Sequence, residues 1–294
     1  PARPVYSALA ALDRLRGERK PALRARTMQD TYSHLAAEGS PPAPALGVEA
    51  AESHAEVPDA NAMAVTEGVV AASEALFVWA ELIDSAWADG LWRTAREAAE
   101  DFVRRELPLD GAGAPLPELA RLQVEATLTL GETYRAEADD TEAMTGAANA
   151  ERRTQLLTVA QQHFCKAMQR GVELGDSSLV LDGAALIWNS SIRALSGDGE
   201  LGPLRPTLRE AVDALRKTDA EAIKADDGLL VLACDVTAAL ARACELAATT
   251  VPAGDNVTPV GTRRVLKPND AQATAAVKEA VDACAWVAGL AAGR

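Results

Sequence analysis

The sequence predicts an all-α protein, an α-solenoid of antiparallel helix hairpins of tetratricopeptide-repeat-like type. Three observations lead there. Apolar residues recur at intervals of three and four from Asn61 onward, and β-branched residues never alternate with polar ones for long. Aromatic residues are only 4% of a chain that is 48% hydrophobic, so many small contacts must supply the core, which favours a stack of helices over one bulky centre. Brief Gly-, Pro- and Asp-containing breaks join the apolar segments in order, which suits antiparallel hairpins.

Residues 1–38 read as a basic helical segment. Arg14, Arg16, Arg19, Lys20, Arg24 and Arg26 cluster there, and Pro21 marks a break or a new helix start. Residues 39–60 are rich in Pro, Ala and acids, without any period, and read as a linker. The hairpin array is expected to fill 61–294, with inserted loops at 138–150 and 249–269.

Within the array, Val65, Val69, Ala72, Leu76, Ala80 and Ile83 mark the first helix, which "WADG" (87–90) ends. Trp92, Ala95, Ala99, Phe102 and Val103 mark the second, broken by "PLDGAGAPLP". Leu119, Leu122, Ala126, Leu130 and Tyr134 give the third; Leu156, Ala160, Phe164, Ala167 and Gly171 give the fourth. Asp176 is placed to cap the fifth, "LVLDGAALIWNSSIRAL" (179–195). Leu204, Leu208, Ala211, Val212 and Leu215 form a narrow stripe on the sixth, among Arg205, Arg209, Glu210 and Arg216. Asp226 or Asp227 caps the seventh, which runs to about Ala248. Val277, Ala280, Val281, Cys284 and Val287 mark the eighth.

Helices 179–195 and 229–247 are apolar nearly all round, whereas 204–217 carries one narrow stripe. The first kind is expected between hairpins and the second outside them. Ile187 should therefore be dry, with Trp188 packed on the face of Ala184, Ile187 and Ser191, and Asn189 on the other side.

A net charge of -14 argues against general nucleic-acid binding, and no stretch reaches the roughly 18 apolar residues of a membrane span. The chain reads as a piece of something longer. Cys165, Cys234, Cys244 and Cys284 form no CxxC pair and read as free thiols, three of them within apolar helical patterns. Gly197, Gly199 and Gly202 spell G-x-G-x-x-G. They follow a helix instead of a strand, and Pro203 comes next, so an inter-helix turn explains them better than a dinucleotide site. The acidic groups at Asp139, Asp140 and Glu142 and at Asp226 and Asp227 read as a solvated loop and a helix cap. Neither catalytic residues nor cofactor-binding or metal-binding residues are expected.

Leu130, Gly131 and Tyr134 fit the L-G-x-x-Y spacing of the tetratricopeptide repeat, and Ala160, Phe164 and Ala167 fit A-x3-F-x-x-A on its second helix. The stretch between Tyr134 and Ala160 is too long for a regular repeat and reads as an insertion. These six residues, with Ile187 and Trp188, are the expected packing positions. The six basic residues of the first segment and Trp286 are the candidate partner-binding positions.

The order of elements carries a further signal. Leu179–Leu195 with Trp188 and Asn189 precedes a Gly- and Pro-containing break, the charged helix Leu204–Leu215, and Asp227–Ala248 with Cys234. This order, with the helix at 155–174, resembles the repeated blocks of the cilia- and flagella-associated protein 46 family over about a third of the chain. Members of that family are large tetratricopeptide-repeat scaffolds. The resemblance implies a cytoskeletal protein of the ciliary or flagellar axoneme, docked to other subunits of a central-apparatus projection. Tubulin, or another acidic subunit, is the candidate for the basic segment. A cytosolic peptide-binding adaptor is the alternative. Such an adaptor would cluster Lys, Arg and Asn along its inner helices, which are apolar here.

Overall fold

The computed structural model describes residues 21–37, 60–110, 112–142, 147–196, 204–249 and 271–293. Among them every regular element is helical: α1 (Pro21–Ala37), α2 (Ala60–Ala88), α3 (Trp92–Arg104), α4 (Pro117–Glu142), α5 (Ala147–Leu174), α6 (Ser177–Ser196), α7 (Arg205–Lys217), α8 (Ala220–Ala225), α9 (Asp227–Thr249) and α10 (Ala271–Ala292). The one extended feature among the described residues is an isolated bridge between Leu109 and Pro115. The chain divides into two compact units, residues 1–136 and 137–294. The boundary falls within α4, which no break in apolar period announces.

The first unit begins with α1, and Pro21 opens it, where a missing N–H costs nothing. The segment expected to stand apart is part of the core. Met28, Thr31 and Leu35 lie on one face and are buried. Tyr32 meets Trp79 of α2 edge to face, with ring centroids 5.8 Å apart. Charge dominates the sequence of this segment and hides its short apolar stripe.

Beyond the end of α2 the chain turns at Gly90, whose φ of 71° suits glycine. The Gly90 N–H donates to the Trp87 carbonyl and the Leu91 N–H to that of Ala86, an arrangement that satisfies free carbonyls and turns the chain into α3. At the far end of α3, the Gln123 amide of α4 donates to the carbonyls of Val103 and Arg105 at 3.2 and 3.0 Å. Trp79, Leu82 and Ile83 of α2, Phe102 of α3 and Leu119 of α4 are fully buried together. The Arg105 guanidinium covers Trp79 at 4.7 Å.

In the second unit the expected loop at 138–150 is largely helix, because α4 continues to Glu142 and α5 starts at Ala147. Its Ala and Glu content favours helix despite its polarity. An Arg152–Glu137 ion pair at 2.6 Å joins the two helices.

Gly175 closes α5 with φ 68° and the same pair of backbone bonds, from Gly175 N–H to Val172 and from Asp176 N–H to Gly171. Asp176 then caps α6, accepting from the Ser178 N–H at 3.0 Å, as expected. α5 and α6 approach closely at two glycines. A Cβ on Gly183 would lie 2.4 Å from Met168 Cγ, and one on Gly171 would lie 3.1 Å from Leu179 Cβ.

α6 packs against α5, α7 and α9. Ile187, Ala184 and Ser191 are fully buried, but Asp182, Asn189 and Ile192 form an exposed flank. α7, expected on the outside with few contacts, touches α5, α6 and α9 through its stripe of Leu208, Ala211, Val212 and Leu215. α8 is not anticipated by the sequence because it is one short turn-like helix; Asp219 caps it, accepting from the Glu221 N–H at 2.9 Å. Asp226 caps α9, accepting from the Gly228 N–H at 2.7 Å. α9 is not dry all round, since Val231 is 57% exposed.

Candidate protein-docking surfaces

The candidate partner-binding residues divide between the two units. Arg14, Arg16, Arg19 and Lys20 lie outside the described residues, as does the Arg24 side chain; Arg26 is exposed on α1. Helix α1 is tied to α3 by two hydrogen bonds. The Tyr32 hydroxyl donates to Asp101 Oδ2 at 3.1 Å, and the Thr94 hydroxyl to Gln29 Oε1 at 3.0 Å. Burial, the Asp101 hydrogen bond and the nearby carboxylates of Glu97 and Glu100 push the Tyr32 phenol up to about 12.

Trp286 of α10 is half-buried, with the Arg216 guanidinium of α7 5.7 Å from its ring centroid. Part of its indole is thereby occupied within the unit.

The packing residues are placed as follows. Leu130 and Gly131 are buried in the first unit. Tyr134 is half-buried, donates to Glu100 Oε1 at 3.1 Å, and lies under the Arg96 guanidinium at 4.2 Å. Ala160, Phe164 and Ala167 are fully buried in the second unit. The two halves of the repeat signature therefore serve different units. Trp188 is half-buried and Asn189 exposed, so the Trp is not the dry core residue its neighbours led one to expect. The glycines at 197, 199 and 202 and the insertion at 250–269 lie outside the described residues.

The last helix is turned by about 80° from its predicted stripe, of which only Ala280 and Val287 stay half-buried. Ala273, Ala276, Ala283 and Leu290 are buried, whereas Val277 and Val281 are 49% and 59% exposed and Cys284 is exposed. Glu279 explains the rotation. It pairs with Arg205 at 2.6 Å and with Arg209, both on α7. Burial would raise the Glu279 carboxyl, but hydrogen bonds from Arg209 and Arg205 outweigh it and hold the group below its usual range. The sequence shows Arg205 and Arg209 on one stripe but not that Glu279 is their partner, some seventy residues later.

Cys165 and Cys244 are buried, and burial pushes both thiols up, away from the reactive thiolate. Among the described residues no group of three or more His, Cys, Asp or Glu could hold a metal ion, and no helix is long and apolar enough to cross a membrane. No protein-family model matches the sequence, and no curated protein is significantly similar to it.

Proposed function

We propose that this chain is a scaffold segment, a tetratricopeptide-like solenoid part of the motile ciliary or flagellar axoneme that docks neighbouring proteins of a central-apparatus projection. The observation that carries the reading is the order of elements: the Trp-Asn helix, the Gly/Pro break, the charged helix and the Cys234 helix. In support, α6, α7 and α9, which correspond to those elements, pack on one another. The mechanism is geometric. Close-packed small residues such as Gly171, Gly183 and the alanines of α10 fix the angles between helices, and the outward faces present surface to partners.

The test is localisation of the tagged protein in ciliated cells, followed by cross-linking mass spectrometry on isolated axonemes. Cross-links to central-apparatus subunits are expected. Recovery in soluble cytosol alone would overturn the ciliary assignment.

A further inference from the structure

One face of α2 departs from the rest of the described surface. Helix α2 contains no Lys or Arg. Glu74, Phe77, Glu81, Asp84 and Ala88 fall within about 80° of its circumference at 3.6 residues per turn. Phe77 is 44% exposed in the middle of this sector, between exposed Glu74 and Asp84. Large aromatic side chains on a folded surface mark contact sites more often than Leu or Val do.

The carboxylates of Glu74, Glu81 and Asp84 belong to this face. Although the residue is partly exposed, desolvation raises the Asp84 carboxyl, and the carboxylates of Glu125 on α4 and Glu81 raise it further. The cation at hand, Arg121, donates to Glu125 at 3.0 Å. An apolar anchor ringed by carboxylates selects against an acidic partner, and against a second copy of this face, because like charges would meet.

We infer that this face of α2 docks a basic amphipathic helix of another protein, whose apolar side covers Phe77 and whose Lys or Arg side chains meet Glu74 and Asp84. Helical spacing suits both surfaces, since residues three and four apart on each would interdigitate. The net charge of -14 steers such a partner toward the chain at low salt. The inference rests on the docking part of the proposed function and not on its ciliary location, which the localisation experiment tests separately.

The probe is a fluorescein-labelled helical peptide of eighteen residues, with Leu on one face and Lys and Arg on the other. Its binding to the full chain is followed by anisotropy. Saturable one-to-one binding is expected. Phe77→Ala should weaken it tenfold or more. The double reversal Glu74→Lys, Asp84→Lys should abolish it and allow binding of a matched peptide with Glu in place of Lys and Arg. Glu210→Lys, at an exposed position of α7 in the other unit, should leave the affinity within about twofold, and far-UV circular dichroism should show each variant folded. Absence of binding would overturn the inference, as would equal binding by the α2 variants, which would mark diffuse charge attraction. A tenfold gain in peptide affinity on deleting residues 1–20 would also overturn it, by showing that the chain's own basic segment competes for the face.

Discussion

Replacing Gly183 by alanine tests the closest helix approach in the second unit. On an exposed helix this change stabilises by up to about 1 kcal/mol, because alanine loses less backbone entropy. At Gly183 the new methyl would lie 2.4 Å from Met168 Cγ and 3.4 Å from the Phe164 carbonyl oxygen. Carbon atoms in contact sit about 3.5–4.0 Å apart, so one side must give by over an ångström. Met168 and Phe164 are both buried, so neither can swing into solvent. Overpacking of this kind costs about 1–3 kcal/mol. The clash is severe enough to use the upper end, which leaves a net loss of about 2 kcal/mol after the propensity gain.

Gly289 provides the control within the same unit. It is an exposed helical glycine, and a methyl added there would meet nothing within 4 Å among the described residues. Gly289→Ala should gain about 0.5–1 kcal/mol. Urea unfolding followed by circular dichroism would give both midpoints, read at unchanged slope. Removing the obstacle with Met168→Ala should make Gly183→Ala less costly in that background than in the wild type, the coupling read from a double-mutant cycle. Equal or greater stability of Gly183→Ala would refute the claim that the α5–α6 approach requires a missing side chain.

Three further outcomes follow from buried polar groups. The Thr237 hydroxyl is buried without a hydrogen-bond partner among the described residues, so isosteric Thr237→Val should raise stability by about 1 kcal/mol in the same urea assay. Glu279→Gln should cost about 2 kcal/mol at neutral pH. Because the Glu279 carboxyl titrates below its ordinary value of 4.5, its stabilisation is full above that pH and is lost as pH falls through the lower folded value. Acid unfolding of the Gln variant should therefore lack that component below about pH 4.5. An ultraviolet titration should find one tyrosine ionising near 12, absent in Tyr32→Phe; its raised value stabilises below pH 10 and is lost as pH rises through about 12.

Helix class, most helix positions and two caps were legible in the sequence, because they depend on local chemistry. Asp176 and Asp226 accept from the N–H groups just beyond them, as short polar side chains ahead of apolar runs do. The expectations that failed needed long-range information. The anchoring of α1 depends on Trp79 and Asp101, both distant in sequence, while the six basic residues between Arg14 and Arg26, two of them on α1, dominate any local reading. The candidate site fared similarly: Arg26 is exposed as expected, Trp286 is partly occupied by Arg216, and Phe77 does not stand out because it lies off the apolar stripe by which its helix is read. A count of charges along 60–88 would have found it, since that helix contains acids and no bases.

The rotation of α10 shows how a few polar contacts offset hydrophobicity. Counted at 3.6 residues per turn, Glu279 lies on the side of Ala276, Ala283 and Leu290, with Val277 and Val281 roughly opposite. Turning the valines inward would gain burial of two side chains, each worth about 1.5–3 kcal/mol when taken from full exposure to full burial. These valines are already about half covered, so the gain is near half of that. The same turn would carry Glu279 to solvent and leave Arg205, whose side chain is only 17% exposed, without its carboxylate. Stranding one partner of this partly exposed triad costs about 2 kcal/mol, below the figure for a fully buried pair and comparable with the valine gain. Alanine on the inner face adds to the balance by letting the axes of α9 and α10 approach. The ion triad and the small-residue seam therefore select one rotation together, and the larger apolar residues are left outward as a consequence.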